Sequence, residues 1–472
     1  MLDESQKFRH VRCEPNDGVE FTWKCAWCVH AEQLVLQLQL YDKAGIFVPS
    51  ASLEDGTMPE NHAPPNLPTP LTATDDGAHT AQGGLAYVAD MARRLAPYFA
   101  RAEPRQRALA YVRGLLSPAE RKNSWQLAEV SGAATPYGFQ HLLGRADWDP
   151  DAVRDELRRY VVQHLGDPEA VLVIEETGFL KKGRHSAGVA RQYSGTAGRI
   201  ENCQIGVFLG YASWLGQALL DRELYVPKEW TDDPPRCQRA GIPQDRRFAT
   251  KPQLAQQMLA RALAVGVPAH WVTGDSVYGD DRRLRMWLEA QPQAYVLAVS
   301  GKEYVWLGGQ QRQVKTILAA LPAEGWTRRS AGEGAKGPRW YDWRWLPLAD
   351  PLEPGWRRWL LVRRSIREPT EVTAYVVFAR QHTTLEQVVR VAGTRWTIES
   401  GFEAAKGEVG LDHYEVRSWT GWYRHMTLAM WALALLVVLR AGAIVVEVFK
   451  KNRAAGPSSL ATFKARRGLA SR

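Results

Sequence analysis

Val171-Leu172-Val173-Ile174-Glu175-Glu176-Thr177-Gly178 is an apolar run that ends on two acids. Three of its first four residues are β-branched, the composition of a short buried strand. A second run, Trp271-Val272-Thr273-Gly274-Asp275, also ends on an acid, and its glycine permits close backbone approach. Carboxylates where neighbouring strands run out lie where α/β sheets bind ligands and metals. Working outward, residues 192–193, 203–211, 218–225 and 294–299 read as further strands. Thr250 caps a helix through Leu254, Met258, Leu259 and Leu263, and residues 281–289 form another. Strands first, then alternating helix and strand, give an α/β chain with a mixed sheet and flanking helices.

Residues 301–384 break the alternation. They hold six tryptophans between Trp326 and Trp359 and a β-branched run at 372–378, and read as a β-rich insertion. Helices follow at 385–406 and 422–439. Residues 426–439 are uniformly apolar, but fourteen residues fall short of the roughly 20 a membrane span needs, so this is a buried core helix. Upstream, residues 85–165 are helical by pattern. Ser117-Pro118-Ala119-Glu120 reads as a capping box opening a helix that Gly132 ends, with a second helix over 135–143. Such a pair fits a helix-turn-helix and equally a plain bundle. Residues 51–84 read as a Pro-rich linker, and the Leu/Gln alternation at 34–40 as a short strand or helix. The N-terminus carries no secretory signal. Cys13, Cys25, Cys28 and His30 match zinc-ribbon spacing poorly and read as free thiols and a histidine. The basic, acid-free tail from Phe449 to Arg472 reads as disordered.

The 472 residues carry a net charge of +9, with a pI near 9.3, and include 19 tryptophans and five cysteines. That balance excludes a disordered, collagen-like or disulfide-scaffold chain, and points to a reducing compartment. It favours a polyanionic partner, nucleic acid before acidic membrane. No P-loop, dinucleotide fingerprint, nucleophile elbow or zinc-protease helix is present. What remains is acids. Glu399 shares a helix with Arg395 and Lys406, on one face by the i+7 spacing. Three carboxylates from two strands and a helix can hold two hard Mg²⁺ ions, an arrangement that suits in-line phosphoryl chemistry. Taken alone, Arg395, Glu399 and Lys406 are a solvated helix face with ion pairs.

Four stretches taken together resemble one family. They are the run from Val171 to Gly183, Gln192-Tyr193-Ser194-Gly195-Thr196-Ala197-Gly198-Arg199 with its continuation to Gln204, Val272-Thr273-Gly274-Asp275-Ser276-Val277-Tyr278-Gly279, and the run from Arg395 to Asp412. The family is the DDE transposases of bacterial insertion sequences, in the insertion-sequence-four superfamily and its insertion-sequence-701-like branch. The resemblance covers about residues 89–439 and implies an RNase H-like core interrupted by the insertion. It divides the chain into an atypical extension and linker (1–84), a helical DNA-binding domain (85–168), the first part of the core (169–300), the β-rich insertion (301–384), the core's C-terminal helices (385–447) and a basic tail (448–472). It assigns Glu175, Asp275 and Glu399 as catalytic metal ligands for two Mg²⁺ or Mn²⁺ ions. The family carries aspartate at the Glu175 position. Arg395 and Lys406 match its Tyr-Arg-Glu-Lys signature as phosphate contacts, with Ala392 in the tyrosine's place.

The implied partners are double-stranded DNA, as terminal inverted repeats and target, and a second copy in the DNA complex. No membrane is implied, and the implied location is the bacterial cytoplasm, at the nucleoid. Arg357, Arg358, Arg363 and Arg364 of the insertion, set among tryptophans, are expected to face DNA. The implied reaction cuts the element's ends and joins the freed 3′-hydroxyl to target DNA. The alternatives are a catalytically inactive DNA-binding remnant, which the longer Glu175 side chain favours, and an RNase H-like nuclease.

Overall fold

A computed structural model describes residues 78–334, 337–348 and 353–454. Strand β1 (Val171–Leu180) runs through Glu175 and Glu176 rather than stopping before them. It continues because β3 (Arg199–Ser213) pairs with its whole length, Val171 opposite Ala212 and Leu180 opposite Cys203. On its other side, β5 (Trp271–Gly274) pairs in parallel only as far as Ile174 opposite Gly274. Outside β3 lie β2 (Ala190–Ser194) and β4 (Gly216–Tyr225). Strand β6 (Ala294–Val299) adds in parallel to β5. The order β4-β3-β1-β5-β6, three antiparallel strands followed by two parallel ones, is that of an RNase H-like mixed sheet.

The insertion begins with a hairpin of β7 (Tyr304–Leu307) and β8 (Gln310–Gln313). It then lengthens the core sheet through β9 (Thr327–Gly334), β10 (Gly337–Pro347), β11 (Trp356–Ser365) and β12 (Val372–Arg380), with β12 pairing antiparallel to β6. An unpaired β6 edge would leave backbone donors and acceptors open, and β12 closes it. Most insertion tryptophans build its core. Trp343 and Trp359 are buried, Trp345 stacks on Trp359 and Trp356 stacks on Phe378, while Trp340 is exposed.

Among the described residues five α-helices precede the sheet: α1 (Ala78–Leu95), α2 (Ala102–Leu115), α3 (Ser124–Val130), α4 (Tyr137–Gly144) and α5 (Pro150–Leu165). Residues 78–84, read above as linker, form the start of α1. The capping box at Ser117 does not form. Ser117 Oγ donates to Gly114 O at the end of α2, and the buried Lys122 ammonium donates to Leu115 O at 2.7 Å and to Ser117 O. Those carbonyls are the orphans of the α2 C-terminus, so the segment closes one helix instead of opening another. Asn123 caps α3 in its place, accepting from the Trp125 and Gln126 amides. The features read at residues 13–40, and the tail beyond residue 454, lie outside the described residues.

Between and after the strands come α6 (Lys228–Thr231), α7 (Pro234–Arg239), α8 (Lys251–Ala264), α9 (Ser276–Gly279), α10 (Arg282–Ala290), α11 (Val314–Ala319) and α12 (Leu385–Gly407), and the long α13 (Trp419–Ala454) is the central core helix. Its stretch Trp419–Ala443 is long and apolar enough to cross a membrane, but 83% of its apolar window is buried inside the protein. Trp431 donates to Val153 O at 3.1 Å, locking α13 to α5. A buried ion network joins the same elements to β4. Asp221 meets Arg154 at 3.1 Å and Arg261 at 2.8 Å, and Arg222 reaches Asp151 at 2.8 Å and Thr427 at 3.1 Å.

His425 of α13 is fully buried between the Tyr111 hydroxyl (2.9 Å) and Leu411 O (3.2 Å). Burial holds its pKa down at about 3, and burial holds that of His164 at about 4. Both titrate near 6.5 when unfolded. Below that pH the unfolded chain binds protons that the native state refuses, so stability falls by about 1.4 kcal/mol per pH unit per histidine. Between pH 6.5 and 4.5 the urea midpoint of His425→Gln should therefore fall less than that of the wild type, over a range in which the raised Glu175 carboxyl acts in the opposite sense. An unchanged slope in the variant would show that His425 is not the sensitive group.

Candidate active site

The sheet register places the first two carboxylates. Ile174 and Gly274 are the last parallel pair, so Glu175 and Asp275 are the next residues of adjacent strands, pointing to one side. Asp275 also caps the short helix α9 (Ser276–Gly279), its carboxylate accepting from the Val277 amide at 2.9 Å. Close packing fixes this turn, since a Cβ on Gly279 would stand 1.8 Å from Ala298 O.

Glu399 comes from α12 (Leu385–Gly407), which Thr384 opens with a capping box to Gln387. Ile398 and Phe402 turn inward to the sheet. A Cβ on Gly393 would meet Ala331 O at 2.0 Å, so glycine lets α12 lie on β9. The Arg395 guanidinium then spans two acids, with Nη1 3.1 Å from Glu175 Oε2 and Nη2 3.1 Å from Glu399 Oε1. The three assigned carboxylates thus gather around one arginine and one strand end. Burial first, and the Asp275 carboxylate second, push the Glu175 carboxyl up to about 8, with Arg395 offsetting part of the rise. Burial, then Glu176, also raises Asp275.

Four further residues, Glu176, Tyr278, Thr177 and Thr196, belong to this neighbourhood, and nothing in the local sequence marks their roles. Glu176, on the opposite side of β1, accepts from Lys251 Nζ at 2.7 Å and from the buried Tyr278 hydroxyl. Tyr278 follows Asp275 by three residues, so its hydroxyl ties the Asp275 turn to β1 through Glu176. Thr177 and Thr196 receive Lys406, whose ammonium donates to their hydroxyls at 2.8 and 2.9 Å. Lys406 is thereby held against β1 beside the acids.

The four insertion arginines do not form one surface. Strand alternation in β11 puts Arg357 and Arg363 on one face and Arg358 and Arg364 on the other. Arg358 pairs with Glu289, its Nε at 2.8 Å. Arg364 reaches Asp342 at 3.3 Å and lies over the Trp326 ring. Arg363 bonds Thr373 at 3.0 Å and lies over Tyr341, and Arg357 is exposed.

Hard carboxylate oxygens suit Mg²⁺ or Mn²⁺. The donor set fits such a cation, because burial and mutual repulsion disfavour the ionised forms of Glu175 and Asp275, a cost that a cation between them would relieve. Among the described residues, however, no three His, Cys, Asp or Glu side chains stand close enough to share one ion as placed. Arg395 takes up Glu175 and Glu399 instead.

Residues 94–318 match the family described as DDE superfamily endonuclease, a span that includes Glu175 and Asp275. Residues 240–435 match the transposase DDE domain, a span that includes Asp275 and Glu399. Over 315 residues the chain is 25% identical to the probable transposase for insertion sequence element IS701 of Microchaete diplosiphon, covering 64% of this chain and 75% of that protein. DDE domains generally use divalent metal ions and process nucleic acid. With the RNase H-like sheet order and acids at its strand ends, these matches make residues 94–435 similar to the DDE endonucleases and transposases.

Proposed function

We propose that the protein cuts the ends of its insertion sequence and joins the freed 3′-hydroxyl to target DNA, with Glu175, Asp275 and Glu399 as the catalytic carboxylates. The observation that supports this reading is that Arg395 spans Glu175 and Glu399, while Glu175 and Asp275 directly follow the last pair of adjacent parallel strands. When bound, Mg²⁺ or Mn²⁺ would supply Lewis-acid activation of the attacking and leaving oxygens. Glu175 and Asp275 would hold it, with Glu399 joining once Arg395 releases that carboxylate. Arg395 and Lys406 line the same face and are placed to receive phosphates. The helical region 85–168 and the insertion are proposed as DNA-contacting regions. The substrate complex is proposed to hold two copies of the chain on double-stranded DNA, in the bacterial cytoplasm.

A second reading, a DNA-binding remnant, is favoured by one observation. Arg395 ties up two of the three acids, and the first of them is glutamate where the family has aspartate. Incubating a terminal-repeat duplex with a supercoiled plasmid and Mg²⁺ separates the readings. Joined product supports transposition, nicking without joining supports a nuclease, and binding without nicking supports the remnant.

The insertion arginines give a separate expectation. Arg357→Ala should lower the slope of log Kd against log salt by about one, the loss of one phosphate contact on a duplex. Arg358→Ala should leave that slope alone and lower stability, because it leaves the Glu289 carboxylate with the Tyr295 hydroxyl but without its cation. Equal slopes for wild type and Arg357→Ala would remove β11 from the DNA surface.

A further inference from the structure

Beyond Glu175, β1 leads through residues 181–189 into the β2–β3 hairpin. From Gly178 to Ile200 this stretch holds Lys181, Lys182, Arg184, Arg191, Arg199 and His185, and no acid. Two of the cations have partners. Lys181 lies 3.4 Å from the Tyr414 ring centre, and Arg199 pairs with Glu201 at 2.7 Å. Lys182, Arg184 and Arg191 are exposed and have no acidic partner among the described residues. Tyr193 and Ile200 stand directly opposite each other in the hairpin, 63% and 59% exposed.

The surface is built rather than loose. Asn202 Nδ2 donates to Lys181 O at 2.6 Å and to Gly183 O at 2.9 Å. Gln204 Nε2 donates to Ala187 O, and Trp230 Nε1 to Val189 O, both at 2.7 Å. The hairpin's turn docks on the catalytic strand, with Thr196 Oγ1 3.3 Å from Gly178 O and sharing Lys406 with Thr177. Thr177 lies two residues from Glu175 along β1.

Resting on the reading of Glu175, Asp275 and Glu399 as the cleavage centre, we infer that the 181–191 loop and the β2–β3 hairpin bind the DNA strand leaving that centre. Lys182, Arg184 and Arg191 neutralise its phosphates, and Tyr193 stacks on an unpaired base. Charge selects the occupant. Three uncompensated cations beside one small apolar pair suit a polyanion, whereas a second copy of this basic chain would set like charges against each other. Exposed aromatics beside a basic track stack on bases without sequence preference.

The test measures fluorescence-anisotropy titrations over a salt series with two probes, a thymidine 30-mer and a mixed-sequence duplex of the same length. In the combined Lys182→Ala, Arg184→Ala, Arg191→Ala variant both salt slopes should fall by about two to three. Tyr193→Ala should weaken the single strand about tenfold, with the duplex nearly unchanged and Tyr193→Phe restoring the single strand. All four residues are exposed, and unchanged melting curves check folding. Wild-type slopes in the triple variant would overturn the inference, as would a triple variant that loses only self-association. Asp275-dependent nicking by the wild type, measured on the same preparations, reports the cleavage reading separately. If it persists while the slopes stay unchanged, the hairpin surface fails and the catalytic centre stands. If it is absent while the slopes fall, the hairpin is a DNA surface and the cleavage reading fails.

Discussion

Asp275→Asn should abolish strand cleavage, lowering its rate about a thousandfold or more, while DNA affinity stays within about twofold; a metal ligand supplies several kcal/mol to the transition state, and each 1.36 kcal/mol is tenfold in rate. The substitution is chosen for what it preserves. Asparagine caps helices as well as aspartate, so the bond from the Val277 amide and the turn into α9 survive. Only the negative charge is lost. Removing it also relieves Glu175, whose carboxyl Asp275 helps push up to about 8, so the variant should melt no lower than the wild type in metal-free buffer. Asp275→Asn that cleaves at the wild-type rate would remove Asp275 from the chemistry. A variant that unfolds would show the capping argument to be wrong.

Glu175→Asp is expected to change the rate in the opposite direction. Glu175 reaches Arg395 at 3.1 Å across the site, and Arg395 also holds Glu399. Shortening the side chain by one methylene draws the first carboxylate back towards β1 and Asp275, and loosens its bond to Arg395. That frees Glu399 and brings the acid to the length the family carries. Cleavage should rise about tenfold or more with Mg²⁺, which demands near-ideal octahedral geometry, and less with the more tolerant Mn²⁺. DNA binding should not change, because charge is conserved. Equal, robust Mg²⁺ activity in both proteins would show that glutamate serves this position as it stands. No activity in either would favour the DNA-binding remnant.

Much of this site was legible in local sequence. Asp275 could be found because a short apolar strand, a glycine and an acid are read in one window. The helix of Glu399 could be read because Arg395, Glu399 and Lys406 fall on one face at helical spacing. The errors share one cause, which is that partners distant in sequence decide local structure. β1 continues past Glu175 because β3 pairs beyond the end of β5. The Ser117 capping box fails because Lys122 takes the α2 carbonyls. Arg358 is committed to Glu289, 69 residues away, and Arg395 to Glu175, 220 residues away. The division of the β11 arginines between two faces was available from strand periodicity alone. The ties of Glu176 to Lys251 and Tyr278 were not, since nothing local marks them.

Glu175, Asp275 and Glu399 are proposed to form together a divalent-metal-dependent centre for phosphodiester cleavage. The most direct test is the initial rate of nicking of an end-labelled duplex carrying the element's terminal repeat, measured for the wild type, Glu175→Asp and Asp275→Asn in chelator, Mg²⁺ and Mn²⁺. The expected result is no nicking in chelator, nicking at the repeat end with either metal that is strongest in Glu175→Asp, and none from Asp275→Asn. Nicking in chelator, nicking by Asp275→Asn at the wild-type rate, or silence from Glu175→Asp in both metals would contradict it.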